Sequence, residues 1–204
     1  EDYAAFVCRL REALNAEGKP VVAALAPKTS AQQRGLLYEA HDYALLSKAA
    51  NAVFLMTYEW GYVYGEPQAI APLPQVRAVL DYALSVTAGE NIFLGAPLYA
   101  YDWPLPYEKG RTRAETFSSQ AAVARARLVG AEIEFDETAR SPYYHYFDKM
   151  RREHVVWFED ARSLRAKIAL AAEKGLQGIG FWQAGRELAQ AWPLLDALVT
   201  LETL

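Results

Sequence analysis

Residues 52–62 read Ala-Val-Phe-Leu-Met-Thr-Tyr-Glu-Trp-Gly-Tyr, a run of apolar strand formers that stops abruptly in a polar and aromatic cluster. A run of this length bounded by turn residues predicts a strand buried on both faces, the kind that parallel sheets contain. Side chains alternate along a strand, so Phe54, Met56 and Tyr58 are expected on one face and Leu55, Thr57 and Glu59 on the other. The strand would then deliver a phenol and a carboxylate to its C-terminal end, where α/β folds bind ligands. Standing alone, the same residues would read as a plain strand end, with Tyr58 as core filler and Glu59 in solvent.

Three further runs share this design: Val21–Pro27, Asn91–Pro97 and Gln177–Trp182. Helical patterns separate them. Residues 1–17 place Tyr3, Phe6, Val7, Leu10 and Leu14 on one stripe, with Cys8 on the opposite, exposed face. A second helix is expected over 38–50. Pro72 and Pro74 start a third, with Val76, Val79, Leu80, Ala83 and Leu84 inward. Asp160 caps another that carries Leu164, Ile168 and Ala171, and a last helix carries Leu188, Trp192, Leu195 and Val199. Alternating strands and helices imply a parallel sheet with right-handed crossovers. Four such strands cannot close a barrel, but they are half of an eight-stranded one.

Residues 98–160 break the rhythm and are too long for a structureless loop, so a small α+β subdomain is expected there. Ser118 or Ser119 caps a helix ending at Gly130, and 131–136 alternate with Ile133 and Phe135 inward and Glu132 and Glu134 outward. Strands at 143–147 and 154–158 are joined by a polar turn at 148–151. The chain therefore divides into a barrel portion at 1–97, an insertion at 98–160 and a second barrel portion at 161–204.

Composition narrows the chemistry. The 204 residues are 52% apolar with a net charge of −4, which argues against a nucleic-acid partner. No apolar run reaches the ~20 residues that span a membrane. With one cysteine, Cys8, and three scattered histidines, His41, His145 and His154, no metal-ligand spacing occurs, so neither a metal nor a cofactor is expected. The histidines read as surface or packing residues. The 13 Tyr, 8 Phe and 5 Trp gather near strand ends, and aromatic rims of that sort suit sugars. No signal peptide is visible, and the first helix has no strand before it, so the chain is read as opening in the middle of a β/α unit.

Met-Thr-Tyr-Glu at 56–59, Gly-Ala-Pro-Leu-Tyr at 95–99 and Gly-Ile-Gly-Phe-Trp at 178–182 resemble the late barrel strands of glycoside hydrolase family 18, the chitinase-like enzymes. Ala-Pro-Lys-Thr-Ser at 26–30, Leu-Leu-Tyr-Glu-Ala-His-Asp-Tyr at 36–43, Tyr-Asp-Trp-Pro-Leu-Pro at 101–106 and Trp-Phe-Glu-Asp-Ala-Arg-Ser at 157–163 are similar to its spore-cortex peptidoglycan hydrolases, the N-acetylglucosaminidases of spore germination. The resemblance covers essentially the whole chain and implies a partial (β/α)8 TIM barrel made of its last four β/α units.

It also implies a mechanism in which the sugar's own N-acetyl group attacks the anomeric carbon while one carboxylic acid protonates the leaving oxygen. Tyr58 matches the tyrosine that holds the acetamido oxygen and is the one catalytic candidate. Trp182 matches the tryptophan that floors the subsite of the reacting sugar. Met56, Glu59 and Tyr99 are further substrate-binding candidates; Glu59 stands where most chitinases have Asp, and Ala100 after Tyr99 replaces the usual Gly. Trp60, Tyr101, Asp102 and Trp103 read equally as groove wall or packing. Trp157 and Glu159 read as structural, tying the insertion to the next helix.

The family's general acid ends an Asp-x-x-Asp-x-Asp-x-Glu signature that occurs nowhere in these 204 residues, and its strand is expected just before Glu1. The alternating carboxylates Glu132, Glu134, Asp136 and Glu137 lie in the insertion and read as a solvated strand face. The implied parent is an enzyme that cleaves β-1,4 linkages at N-acetylglucosamine in peptidoglycan or a chitin-like glycan, at the spore cortex or cell wall. This portion alone is expected to be inactive. The alternative is a lectin-like module that binds the glycan without cutting it. Because both outer strands would lack neighbours, a homodimer of half-barrels is also conceivable.

Overall fold

The apolar run at the centre of the sequence is a strand with like strands on either side. The computed structural model describes residues 1–186 and 188–199. A four-stranded parallel sheet is ordered β1 (Val22–Leu25), β2 (Ala52–Leu55), β3 (Ile92–Pro97), β9 (Gly178–Trp182). Parallel neighbours require long crossovers. These are α2 (Tyr43–Ala49), α3 (Leu73–Val86) and α5 (Ala161–Glu173), while α1 (Asp2–Asn15) precedes the sheet and α6 (Ala191–Leu198) follows it. The chain is thus an α/β protein.

Alternation along the strands divides the sheet's faces. Val53, Leu55, Ile92, Leu94 and Ala96 are fully buried against the helices, where Val76, Val79, Leu80 and Ala83 of α3 meet them, also fully buried. Each such side chain contributes about 1.5–3 kcal/mol. The other face carries Phe54 and Phe93 on a floor of glycines. A Cβ at Gly95 would lie 2.7 Å from the Phe54 ring, and one at Gly180 2.5 Å from it. Only glycine leaves room for this ring at 95 and 180, and Gly178, whose Cβ would lie 3.2 Å from the Phe93 ring, completes the Gly-Ile-Gly spelling of β9. β1 and β9 form the two edges of this sheet.

Between β3 and α5 the chain builds a second, antiparallel sheet. Its order is β5 (Glu115–Ser118), β4 (Tyr99–Pro104), β8 (Glu153–Trp157), β7 (Ser141–Phe147), β6 (Glu134–Asp136). Helix α4 (Ser119–Val129) covers one face, burying a core of Ala100, Ala122, Ala126, Tyr144, Val156 and Phe158. Ser118 caps that helix by accepting from the Ala121 amide at 3.1 Å, and Gly130 ends it in the left-handed region at φ 68°. Asp160 and Ser163 form the capping box of α5. Just before it, Glu159 accepts two hydrogen bonds from Lys167 Nζ, at 2.8 and 3.0 Å, and both side chains are wholly buried. This pair fastens the exit of the second sheet to α5.

Three local expectations are corrected. Helix α1 turns a different stripe inward: Val7 is buried with Tyr3, Ala4, Cys8 and Leu14 against it, while Phe6 is 61% exposed. Arg11 sets that rotation by donating to the carbonyls of Lys48 and Ala50 on α2. Helix α2 starts at Tyr43 instead of 38, because Asp42 caps it through the Leu45 amide and the preceding residues form turns. Finally, β5 pairs with β4 where only loop was expected.

Candidate functional site

The C-terminal ends of β1, β2 and β3 converge on residues 56–60. The regular strand stops at Leu55, and the amides of Thr57 and Tyr58 turn back to the carbonyls of Leu55 and Met56 at 2.8 and 2.9 Å. Thr57 is buried and anchors this turn by donating to the Gly95 carbonyl at 2.7 Å. Glu59 then takes a φ of 73°, a region that non-glycine residues seldom occupy and that costs on the order of 1–3 kcal/mol. The alternation read from the sequence therefore fails here: Tyr58 and Glu59 line the same cavity instead of opposite faces.

Neutral phenols hold Glu59 in this posture. Tyr101 donates to its Oε1 at 2.8 Å, and Tyr99 donates to the same oxygen. Burial raises the pKa of both phenols, and the Glu59 charge raises it further, so they remain donors. The Tyr58 ring is 8% exposed and stands edge-on to Tyr99 at 6.4 Å. Its pKa is pushed up to about 12, by burial first and by Glu59 second. Among the described residues nothing accepts from the Tyr58 hydroxyl, which leaves a protonated donor free at the cavity wall.

Two adjoining cavities of about 450 and 590 Å³ share Pro27, Tyr38, Tyr58 and Glu59. Trp60 closes the first and Met56 floors the second, both half-buried. Trp182 ends β9, 53% exposed, and its carbonyl accepts from the Leu98 amide at 2.8 Å. It walls neither cavity.

Asp102 and Trp103 take the packing alternative, so their candidacy as sugar ligands is corrected. Asp102 is 2% exposed and points from β4 towards α4, opposite to Tyr101. There it accepts from Arg125 at 2.5 Å and Tyr146 at 2.6 Å, and His154 Nδ1 lies 2.7 Å away. Trp103 is fully buried beside Tyr101. Tyr99 and Tyr101 reach the site through Glu59.

Sequence reasoning assigned no role to Thr29, Ser30, Gln33 and Tyr38 in the walls after β1, and read His41 as a surface or packing residue. All of these but Gln33 lie in the motifs at 26–30 and 36–43. Tyr43 fixes this loop, donating to the Ala26 carbonyl at 2.7 Å and accepting from the Lys28 amide at 2.8 Å. His41 Nδ1 accepts from the Ala26 amide at 2.8 Å, and burial and the Lys28 charge lower its pKa. Its ring therefore stays neutral beside the cavity. No group of three His, Cys, Asp or Glu among the described residues could hold a metal ion, and no described helix is long and apolar enough to cross a membrane.

The profile of glycosyl hydrolases family 18 matches residues 1–187. The chain belongs to that family. It is 46% identical over 196 residues to the cortical fragment-lytic enzyme of Bacillus subtilis (strain 168), a match covering 96% of this chain and 46% of that protein. The crystal structure of the Bacillus cereus spore cortex-lytic enzyme SleL superposes with a TM-score of 0.92 at 41% identity, covering 97% of this chain and 46% of that one. The putative sporulation-specific glycosylase YdhD of Bacillus subtilis gives a TM-score of 0.83 at 34% identity, covering 89% and 59%. Within family 18 the chain thus falls among the spore-cortex hydrolases. It spans about half the length of the curated relatives it matches.

Proposed function

We propose that this chain is the acetamido-holding portion of a family 18 hydrolase that cleaves β-1,4 linkages at N-acetylglucosamine in spore-cortex peptidoglycan or a chitin-like glycan. The single observation that carries this reading is the Tyr58 hydroxyl, protonated at neutral pH and unpaired among the described residues, beside a carboxylate that accepts from two neutral phenols. The four parallel strands would be the last four of a (β/α)8 barrel, divided as 1–97, 98–160 and 161–204. Trp182 would floor the subsite of the reacting sugar.

In this scheme the acetamido oxygen attacks C1 as the glycosidic bond breaks, and the leaving oxygen takes a proton from a carboxylic acid that these 204 residues do not supply. Tyr58 donates to the acetamido oxygen and holds it in line. The Glu59 carboxylate, held by the Tyr99 and Tyr101 hydroxyls, stabilises the positive charge that spreads over the acetamido group. Water then attacks C1 from the vacated side, giving its proton back to that same acid, now a carboxylate, as the bond from the acetamido oxygen to C1 breaks; the acetamido group is restored and the anomeric configuration retained. Without the acid, worth ~10²–10⁴-fold, the chain alone binds glycan and does not cut it.

The test is a titration of the 204-residue chain with tetra-N-acetylchitotetraose and with cellotetraose, which lacks the acetamido groups. The expected result is binding of the first that shifts the Trp182 indole N–H resonance, with at least tenfold weaker binding of the second. Equal affinity for the two would overturn the acetamido role. So would measurable release of a chromophore from an N-acetylglucosaminide by the chain alone, since the acid would then lie within it.

A further inference from the structure

The antiparallel sheet uses its two faces unequally. One face carries α4 and the second core. On the other, the pairings Thr116–Tyr101, Tyr101–Trp157, Trp157–Tyr143 and Tyr143–Glu134 lay one row of side chains across all five strands. The first part of that face is covered. Tyr101 is 5% exposed and Trp103 fully buried, and the loop after β2 is tied across them by the Ala114 amide on the Val63 carbonyl at 2.8 Å.

The rest is left open. Trp157 and Tyr143, both half-buried, stack at 4.6 Å and 21° and floor a groove of about 410 Å³. Pro67 from the loop after β2 makes one wall and Tyr107 another, its hydroxyl donating to the Tyr64 carbonyl at 3.0 Å. Aromatic rings that only filled a core would be covered, as Trp103 is on the same face. Strands and loop bonds hold these rings in place while the groove stays open.

The chemistry of the rim selects the occupant. Glu66 stands at the edge, Glu134 accepts from Tyr143 at 3.0 Å, and His145 pairs with Glu153 at 2.9 Å. Acceptors therefore outnumber donors, and among the described residues no guanidinium lines the groove, which disfavours phosphates and other anions. A flat apolar floor with hydrogen-bond acceptors at its edge fits the C–H face of a neutral pyranose whose hydroxyls point outward. The row is continuous with the Glu59 site. Tyr143 lies two strands, about 10 Å, from Tyr101, whose hydroxyl bonds Glu59.

We propose that the Trp157–Tyr143–Tyr107 groove is a second carbohydrate subsite, separate from the Tyr58–Glu59 cavity, that takes a neutral N-acetylhexosamine oligosaccharide by ring stacking. The proposal rests on the glycan-binding reading of the chain and extends it to a second surface. It would let two separate segments of a long glycan, or two glycan chains, engage the chain at two points, raising the residence of a polymeric substrate through effective concentration.

The test uses the 204-residue chain and tetra-N-acetylchitotetraose, following the indole N–H resonances of its 5 tryptophans, with Trp157→Phe and Trp182→Phe to assign them. Trp157 and Trp182 should both shift, on separate titration curves. Tyr107→Ala should weaken the Trp157 curve roughly three- to tenfold and leave the Trp182 curve unchanged. Shifts confined to Trp182 would overturn the groove while leaving the Tyr58 cavity standing. Equal weakening of both curves by Tyr107→Ala would reduce the two to one site and overturn the proposal as well. If neither resonance moves, the groove is refuted, and hydrolysis by the complete enzyme then decides the cavity separately.

Discussion

The ends of the parallel strands and the antiparallel sheet beside them treat carboxylates in opposite ways. Asp102 and Glu159, in and just after the antiparallel sheet, are buried and paired with cations: Arg125 for one, Lys167 for the other. Glu59, at the strand ends, is exposed, sits on a strained backbone and is bonded to two neutral phenols. A charge neutralised by a buried cation has no field left for a ligand, and its work is to hold elements together. A charge held only by phenols keeps its field, and it can act on whatever enters the cavity. The contrast sets the carboxylates that fasten elements apart from the one proposed to meet a ligand, without reference to any relative.

The strongest way to break this comparison is at Lys167. Replacing it with methionine removes the cation that pairs with Glu159, whose pKa burial already raises despite Lys167. The expected loss is about 3–5 kcal/mol of unfolding free energy, measured by denaturant titration at neutral pH, because an unpaired charge would be left in the core. Adding Glu159→Leu to Lys167→Met should recover most of it. A Lys167→Met protein as stable as the parent would mean that the pair does not fasten the second sheet to α5.

Arg125→Met tests the other buried carboxylate with a smaller expected effect. Arg125 is a quarter exposed and also pairs with Glu115, while Asp102 keeps Tyr146 and His154 after the change. A loss of about 2 kcal/mol is expected, with amide exchange accelerating in β4 and α4 more than in the parallel sheet. Uniform acceleration across both sheets would show that the insertion does not have a stability of its own.

Much of this arrangement was legible in the sequence where its causes are local. The Pro72 and Pro74 start of α3, the Ser118 cap, the Gly130 stop and the Asp160 capping box depend on residues within a turn of one another. So does the apolar run of each parallel strand. The site was legible in its motifs but not in its geometry. Glu59 reaches Tyr99 and Tyr101 because the backbone turns after Met56, and the period-two alternation of a strand gives no warning of that turn. Asp102 looked like a groove residue beside Tyr101 because its partners lie far along the chain, at 125, 146 and 154. The helix expected from 38 fails because residues 38–40 lie in turns beside the cavity, and Leu36 and Leu37 just before them are 99% and 71% exposed. Binding surfaces expose the very residues on which helix periodicity relies.

The smallest change in stability should come from Tyr58→Phe, and it sharpens the comparison most. The hydroxyl bonds nothing among the described residues, so its removal should alter stability by less than about 0.5 kcal/mol. Its loss should be felt only when a ligand supplies the acceptor. In a complete enzyme containing this chain, the bond to the acetamido oxygen strengthens as that group gains charge in the transition state. A hydrogen bond to a charged group is worth roughly 1.5–3 kcal/mol, so kcat should fall on the order of 10- to 150-fold with KM changed far less. A variant that raises KM and keeps kcat would assign Tyr58 to ground-state binding alone. One that loses stability like Arg125→Met would place the hydroxyl with the structural groups, and the division drawn between the two regions would fail at the residue that defines it.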